Sequence, residues 1–152
     1  MKNKEMVENY NGLSTLQGRE KEYLEKEGKQ LFGGRIRITY AILKNMDEIE
    51  RKLKPYTQAL GDLNKEYRDL EKEREIVEEM KKKAEKDGNV RMSKILFRKG
   101  KDPEEYEEKL KELLEIEVDD VPVCKVPAGL LDGLNLASYD LLALMFMLED
   151  TE

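Results

Sequence analysis

The sequence predicts a mainly α-helical protein organised around one long helix, and three observations support this class. First, between Ile42 and Ala84 apolar residues recur at seven-residue steps in two series offset by three positions, which is the spacing of a coiled-coil seam. The two series are Met46, Leu53, Leu60 and Tyr67, and Ile49, Tyr56, Leu63, Leu70 and Val77. Second, 41% of the residues are charged and 39% are apolar, so the long helix can bury only a narrow stripe. Third, the segment from Asp102 to Glu105 combines an N-cap, a proline at the first helical position and a glutamate at N3, which predicts the start of another helix.

The long helix is expected to kink at Pro55 rather than end there, because the apolar stripe continues in register beyond this proline. The helix that begins at Pro103 carries an apolar stripe formed by Tyr106, Leu110, Leu113 and Leu114. We expect this helix to fold back against the long one, so that the two form an antiparallel, coiled-coil-like helical hairpin.

An N-terminal helical segment is predicted to precede the hairpin. Asn11-Gly12 indicates a turn, and Ser14 followed by Gln17 has the pattern of a capping box, so the first helix should begin near Ser14. Gly33-Gly34 is expected to end this helix.

Two segments leave alternatives open. Isoleucines and a tyrosine alternate with other residues from Ile36 to Ile42, which fits a short strand, but they lead without a breaker into the seven-residue pattern. We therefore favour an early start of the long helix, with Ile36, Tyr40 and Leu43 on one side. The segment from Val90 to Lys101 is rich in β-branched and apolar residues and fits either a β-hairpin arm or an ordered loop.

The C-terminal part is predicted to contain a small extended or β segment followed by a buried helix. Valines alternate with other residues and with proline over positions 118–126, which indicates an extended edge segment. Ser138 is expected to cap the last helix, whose run from Leu141 to Leu148 is apolar on nearly every face. That helix should therefore be the most buried element, docked either at the base of the hairpin or in an interface with another subunit.

We expect a single domain over residues 1–152, since this length is sufficient to bury a core. It would consist of the N-terminal helical segment 1–34, the helical hairpin 35–116 with a basic arm at 88–101, and the segment 117–152. The long apolar stripe needs a partner, so the sequence also predicts a homo-oligomer. Whether the stripe closes within one chain or between chains stays open.

Four stretches together resemble an uncharacterised family of small helical proteins from bacteriophages and prophages of Gram-positive bacteria. They are Ile36 to Met46, Leu113 to Asp119, Leu131 to Leu136 and Leu141 to Met147. The resemblance covers most of the chain after Gly34, and its motifs are mainly helix-forming and capping patterns. The chain differs from the family in the Gly33-Gly34 pair and in the basic segment 90–101. The resemblance implies a viral origin and action inside a bacterial cell, and it transfers no functional residue.

The residue types offer little for catalysis or for metal binding. The chain has no histidine, which is the commonest general base and a common metal ligand. The single cysteine, Cys124, lies between valines and is interpreted as an inert packed thiol. The glutamates between Glu71 and Glu79 alternate with Lys and Arg, which is typical of a solvated helix face. We therefore expect no enzyme activity, no cofactor and no metal site.

The distribution of charge is more informative than the formal net charge of −6, which argues against general nucleic-acid binding. Two windows, 29–46 and 89–101, contain basic and aromatic residues and no acidic residue. Arginine, lysine and aromatic rings are the groups that hold phosphates and stack on bases. The candidate ligand-binding residues are Arg35, Arg37, Tyr40, Lys44, Arg91, Lys94 and Arg98. The alternative is that these basic residues simply face water.

Three functions are compatible with these features. The first is a non-catalytic phage-type protein that sequesters a small anionic, nucleotide-derived immune signal in an oligomer pocket, which would make it an anti-defence protein. The second is a coiled-coil structural or assembly adaptor that binds another viral or host protein. The third is an acidic helical mimic of nucleic acid, which fits the net charge but not the basic windows.

The expected location is the cytoplasm of a bacterial host cell. No apolar signal region follows the charged start of the chain, and the single cysteine cannot form an internal disulfide. The longest apolar run, Leu141 to Leu148, is far shorter than the roughly 20 residues that cross a bilayer. The sequence therefore predicts no association with the membrane.

Overall fold

The computed structural model describes residues 1–83 and 95–150, and this part of the chain is mainly helical. Its α-helices are α1 (Asn3–Glu27), α2 (Ile36–Lys52), α3 (Lys54–Tyr67), α4 (Leu70–Lys83), α5 (Pro103–Glu115) and α6 (Ser138–Leu144). Two short strands, β1 (Val126–Pro127) and β2 (Leu148–Glu149), pair in parallel, with Val126 opposite Leu148. The predicted class is confirmed as a mainly α fold with a small extended segment and a C-terminal helix.

The chain divides into two compact units. One comprises Met1–Lys54 and Ile116–Glu152, and the other comprises Pro55–Glu115. Because α2 belongs to the first unit, the predicted segment 35–116 is shared between the two. The single domain, the kink at Pro55 and the antiparallel hairpin stay predictions.

The first helix begins at Asn3, so the predicted turn at Asn11-Gly12 and the start near Ser14 are wrong. Gly12 lies inside α1 and packs against α6, where an added Cβ would lie 3.3 Å from the Cβ of Ala143. The helix also ends earlier than Gly33-Gly34. Gly28 adopts the left-handed conformation with φ of 65°, and its N–H donates to the carbonyl of Leu24 over 3.0 Å.

α2 begins at Ile36, which confirms the interpretation of this stretch as helix rather than strand. Its inward residues pack with those of α1, α6 and the turn that follows α6. The buried members of this core are Leu13, Leu16, Leu31, Phe32, Ile38, Ala41, Ile42, Val126, Leu144 and Met147. Burial of these apolar side chains is the main stabilising contribution to the first unit.

The helix predicted from Ile42 to Ala84 is interrupted at Leu53, close to the kink predicted at Pro55, and again at positions 68–69. The second interruption makes the prediction of one long helix wrong, and Ala84 itself lies outside the described residues. At the second break, the Asp69 carboxylate accepts a hydrogen bond from the N–H of Lys72 over 3.1 Å and so caps α4. The Asp69 N–H donates to the carbonyl of Leu96 over 2.8 Å. Apolar residues keep their spacing across both breaks, which is why the pattern predicted one helix.

Aromatic rings form the centre of the second unit. The rings of Tyr67 and Phe97 lie 5.9 and 5.4 Å from that of Tyr106, measured between centroids. The Tyr106 hydroxyl donates to the Asn64 side-chain oxygen over 2.6 Å, and Arg68 pairs with the buried Glu73 at the same distance. These contacts connect α3, α4 and α5 and fix the position of the segment that contains Phe97.

The hydroxyl of Tyr106 is expected to make a modest contribution to the stability of the folded protein. Tyr106→Phe should lower the free energy of unfolding by about 1 kcal/mol, because it removes one hydrogen bond from a buried side chain. Urea denaturation measures the difference, with Tyr139→Phe as the control since that ring is 59% exposed. Equal stability of the two variants would show that the bond to Asn64 contributes nothing.

The C-terminal helix buries one face only. Asp140 and Leu144 are buried, whereas Leu142 is 68% exposed and Met145, immediately after the helix, is 63% exposed. Within one chain this helix is therefore not the most buried element, and its burial in an interface with another subunit stays a prediction. A seven-residue helix that packs by one side leaves its other side in solvent whatever its composition.

An ion pair fixes α6 to α1. The Arg19 Nε donates to both carboxylate oxygens of Asp140 over 2.8 and 2.7 Å, and Asp140 also accepts from the N–H of Ala137 over 2.8 Å. The Asp140 side chain is 1% exposed and the Arg19 side chain 27%. The Asp140 carboxylate therefore both caps α6 and neutralises the charge of Arg19.

Glu20 on α1 gives a pH-dependent prediction. Burial raises the pKa of Glu20 above its ordinary value, so the charged form is disfavoured in the folded protein and stability falls as the pH rises through that pKa. Glu20→Gln should therefore raise the melting temperature at neutral pH, and the gain should vanish once the solution is acidic enough to protonate Glu20 in both states. Glu25→Gln, at an exposed position of the same helix, is the control. A gain that is independent of pH would contradict this explanation.

Candidate ligand-binding groove

A solvent-open groove lies in the first unit, between the first turns of α2 and the extended segment before β1. Its volume is about 410 Å³. The lining residues are Ile36, Arg37, Tyr40, Cys124, Lys125 and Val126. The groove therefore combines an aromatic ring, aliphatic side chains, two cations and one thiol.

The wall formed by Cys124 and its neighbours is held by the buried side chain of Asn45. The Asn45 amide nitrogen donates to the carbonyl of Cys124 over 2.9 Å, and the Cys124 N–H donates to the Asn45 amide oxygen over 2.7 Å. Asn45 is only 1% exposed, and its nitrogen also lies 3.5 Å from the sulfur of Met147. On the other side of this wall, Val126 pairs with Leu148. Asn45 thus fixes the extended segment to α2, and the strand pairing fixes it to β2.

The start of α2 is held by Arg35, which precedes its first residue. Nη1 of Arg35 donates to the carbonyls of Leu130 and Asp132, the latter over 2.7 Å. Arg35 therefore joins the beginning of α2 to the turn that follows β1. Its guanidinium is not part of the groove lining.

The outward face of α2 carries exposed apolar side chains at positions 36, 40 and 43. Ile36 is 78% exposed, Tyr40 59% and Leu43 53%. Their spacing of four and three residues puts them on one side of the helix, as the sequence predicts. Ile36 and Tyr40 face the groove, so the ring of Tyr40 is accessible to a planar ligand.

Two cations of the groove have no other role in the described part of the chain. Arg37 and Lys125 are exposed, and neither side chain forms a hydrogen bond or an ion pair with any described residue. Lys44, one turn further along α2, differs because its Nζ lies 3.5 Å from Oε1 of the buried Glu48. Glu48 also accepts a hydrogen bond from Arg51, and these two cations hold the pKa of the Glu48 carboxyl below its ordinary value.

The predicted site residues are thus distributed over separate places. Arg37 and Tyr40 lie together in the groove, whereas Arg98 belongs to the second unit, where its Nε donates to the carbonyl of Arg68 over 3.1 Å. Arg91 and Lys94 lie outside the described residues. Roles for these three in ligand binding stay predictions.

Sequence reasoning missed Lys125. The residue lies outside both acid-free windows, in a segment interpreted only as an extended edge. One feature of the sequence could have identified it, because Lys125 is the only basic residue after Lys111. A lone cation in an otherwise acidic and apolar C-terminal region is a reason to examine its surroundings.

A second pocket, of about 270 Å³, lies along the last turns of α1 and has a different character. It is lined by Arg19, Glu22, Tyr23, Lys26, Glu27 and Asn135. Its charges are largely engaged with one another or with the core, because Lys26 pairs with Glu22 over 3.0 Å and Arg19 pairs with Asp140. It offers a ligand fewer unpaired cations than the groove does.

Two further findings concern only residues 1–83 and 95–150. Within them, no group of three or more carboxylate or thiol side chains is arranged to hold a metal ion. None of the helices there is both long enough and apolar enough to span a bilayer.

No protein-family model, curated protein or solved structure matches the chain. A mainly α fold hosts many unrelated functions and does not by itself indicate one. The function therefore has to be inferred from the chemistry of the groove.

Proposed function

We propose that this protein is a non-catalytic binding protein that sequesters a small anionic, nucleotide-derived ligand in the groove beside α2. The observation that carries the proposal is the exposed ring of Tyr40 next to two cations, Arg37 and Lys125, that have no partner among the described residues. Guanidinium and ammonium groups bind phosphate oxygens, and an accessible aromatic ring stacks on a nucleobase.

The size and polarity of the groove support a small ligand of mixed character. Its volume of about 410 Å³ falls at the lower end of the range for small-molecule pockets, roughly 300 to 1,000 Å³. Ile36 and Val126 provide apolar contacts, while both cations are on the lining. A ligand with one planar apolar part and one anionic part matches these two chemistries.

The groups in the groove favour retention of a ligand over its conversion. Among the described residues the lining contains no carboxylate, and the chain has no histidine, so the usual general bases are lacking in this lining. A phage or prophage origin, which the sequence resemblance implies, would make a bacterial nucleotide immune signal the relevant ligand. The protein would then act against host defence in the bacterial cytoplasm.

Titration calorimetry with a panel of linear and cyclic nucleotides tests the proposal. The wild-type protein should bind at least one of them, and Arg37→Gln should weaken that binding by about tenfold, since a charge-assisted hydrogen bond contributes roughly 1.5 to 3 kcal/mol. Lys21→Gln, which removes an exposed cation of α1, is the matched control and should bind normally. The proposal fails if folded wild-type protein binds no nucleotide, or if Arg37→Gln binds as tightly as the wild type.

Self-association is part of the proposal, and the exposed apolar face around α6 supports it. Tyr139, Leu142 and Met145 are each between 59% and 68% exposed. A second copy of the chain that covered this face would remove considerable apolar surface from water. Light scattering should give the mass of an oligomer for the wild type and of a single chain for Leu142→Lys. A wild-type monomer at the same concentration would exclude this part of the proposal.

A protein adaptor is the second candidate, and the exposed apolar face of α2 favours it. Ile36, Tyr40 and Leu43 would then bind a helix or a loop of a viral or host protein rather than a nucleobase. Pull-down from infected cells distinguishes the two functions. A stoichiometric protein partner that is lost with Leu43→Lys, together with no nucleotide binding, would favour the adaptor.

A further inference from the structure

We infer that the groove selects a ligand with a single terminal phosphate monoester, the chemical class of a nucleoside 5′-monophosphate. This inference rests on the proposed function and specifies the ligand class of the same groove. It excludes nucleoside triphosphates and cyclic nucleotides as the preferred ligands.

The described residues of one chain offer two cations to the groove. Arg35 is adjacent in sequence, but its Nη1 is held by the carbonyls of Leu130 and Asp132. Lys44 lies one turn beyond Tyr40, but it pairs with Glu48, and neither residue is on the lining. Arg37 and Lys125 are the two cations on the lining, and they lie on opposite walls, one on α2 and one on the extended segment.

The classes of phosphate differ in how well their negative charge matches the two cations of the groove. A terminal phosphate monoester carries about −1.5 to −2 at neutral pH and has three acceptor oxygens, so two cations can neutralise it. A cyclic phosphodiester carries a single negative charge and would leave one of the two cations without a counter-charge. A triphosphate brings further negative charge, for which the described residues provide no additional cation on the lining of the groove.

The groove also offers apolar contacts to the ligand. Tyr40 and Ile36 remain 59% and 78% exposed beside the cations, and Val126 is on the opposite wall. A base that stacked on Tyr40 would contribute roughly 1 to 3 kcal/mol. Inorganic phosphate lacks this contact, and a nucleoside lacks the charge. A nucleoside monophosphate is the smallest nucleotide that uses both chemistries of the groove.

Calorimetry with matched ligand series tests this selection. The probes are the common ribonucleosides, their 5′-monophosphates, their 3′,5′-cyclic monophosphates and their 5′-triphosphates, all titrated at one ionic strength without divalent cations. For the base that binds best, the monophosphate should bind most tightly, by about tenfold over the nucleoside and the cyclic form. Arg37→Gln and Lys125→Gln should each reduce monophosphate affinity by about tenfold and leave nucleoside affinity unchanged, whereas Lys21→Gln should change neither.

The outcomes separate this inference from the function on which it depends. A cyclic nucleotide, triphosphate or nucleoside that binds as tightly as the monophosphate, with affinity that still depends on Arg37, overturns the inference and leaves the proposed function intact. If no member of the series binds, or if binding is unaffected by Arg37→Gln, both are overturned. Circular dichroism of each variant verifies that a loss of affinity is not a loss of fold.

Discussion

Asp140→Ala should lower the free energy of unfolding by about 2 to 3 kcal/mol, because it breaks an ion pair whose carboxylate is buried. The substitution leaves the Arg19 guanidinium without its carboxylate and leaves the N–H of Ala137 without its acceptor at the start of α6. Breaking a fully buried ion pair costs roughly 3 to 5 kcal/mol, and we expect less here because the Arg19 side chain is 27% exposed to solvent.

Urea denaturation of three variants separates the two roles of Asp140. Asp140→Asn retains an acceptor for the cap and loses the charge, so its stability should lie between those of the wild type and Asp140→Ala. Asp132→Ala removes an exposed carboxylate from the same region and should be nearly neutral. Asp140→Ala with the stability of Asp132→Ala would show that the pair with Arg19 does not stabilise the fold.

Asn45→Ala should cost about 2 kcal/mol and should also loosen the wall of the groove. It removes two hydrogen bonds, each contributing about 1 kcal/mol, and leaves the N–H and the carbonyl of Cys124 without their partners. Water can reach Cys124 in part, since that residue is half-buried, and this limits the loss.

Hydrogen exchange at Cys124 reports the local effect directly. Its amide should be protected in the wild type and should exchange much faster in Asn45→Ala. Asn135→Ala, at an exposed asparagine, is the control and should alter neither the stability nor the exchange. Unchanged protection of the Cys124 amide in Asn45→Ala would mean that Asn45 does not hold this segment.

The sequence was sufficient for the class of the fold and insufficient for the ends of several helices. Apolar spacing indicates which faces are buried, and it continued without change through the break before α4. That break depends on Asp69, whose backbone N–H donates to Leu96, a residue distant in the chain. Gly12 likewise stands inside a helix, where Ala143 packs against it. Local patterns contain no information about such distant contacts.

The candidate site was predictable from the sequence only in part, because local patterns do not show which side chains make distant contacts. Charge distribution singled out Arg37 and Tyr40, because both lie in a basic window of the sequence. It also singled out Arg35 and Lys44, and only the structure shows that their polar contacts are with backbone carbonyls and with Glu48. Lys125 joins the groove through Asn45, whose side chain holds the preceding residue, and neither residue belongs to a recognisable motif.

We claim that the groove beside α2 binds a small anionic nucleotide. A nuclear magnetic resonance titration of the isotopically labelled protein tests this residue by residue, with the 5′-monophosphates, 3′,5′-cyclic monophosphates and 5′-triphosphates of adenosine, guanosine, cytidine and uridine as ligands. We expect at least one of them to shift the resonances of Ile36, Arg37, Tyr40 and 124–126, and to leave those of α4 and α5 in place. Shifts confined to other residues, or no shift with any of the nucleotides, would contradict the claim.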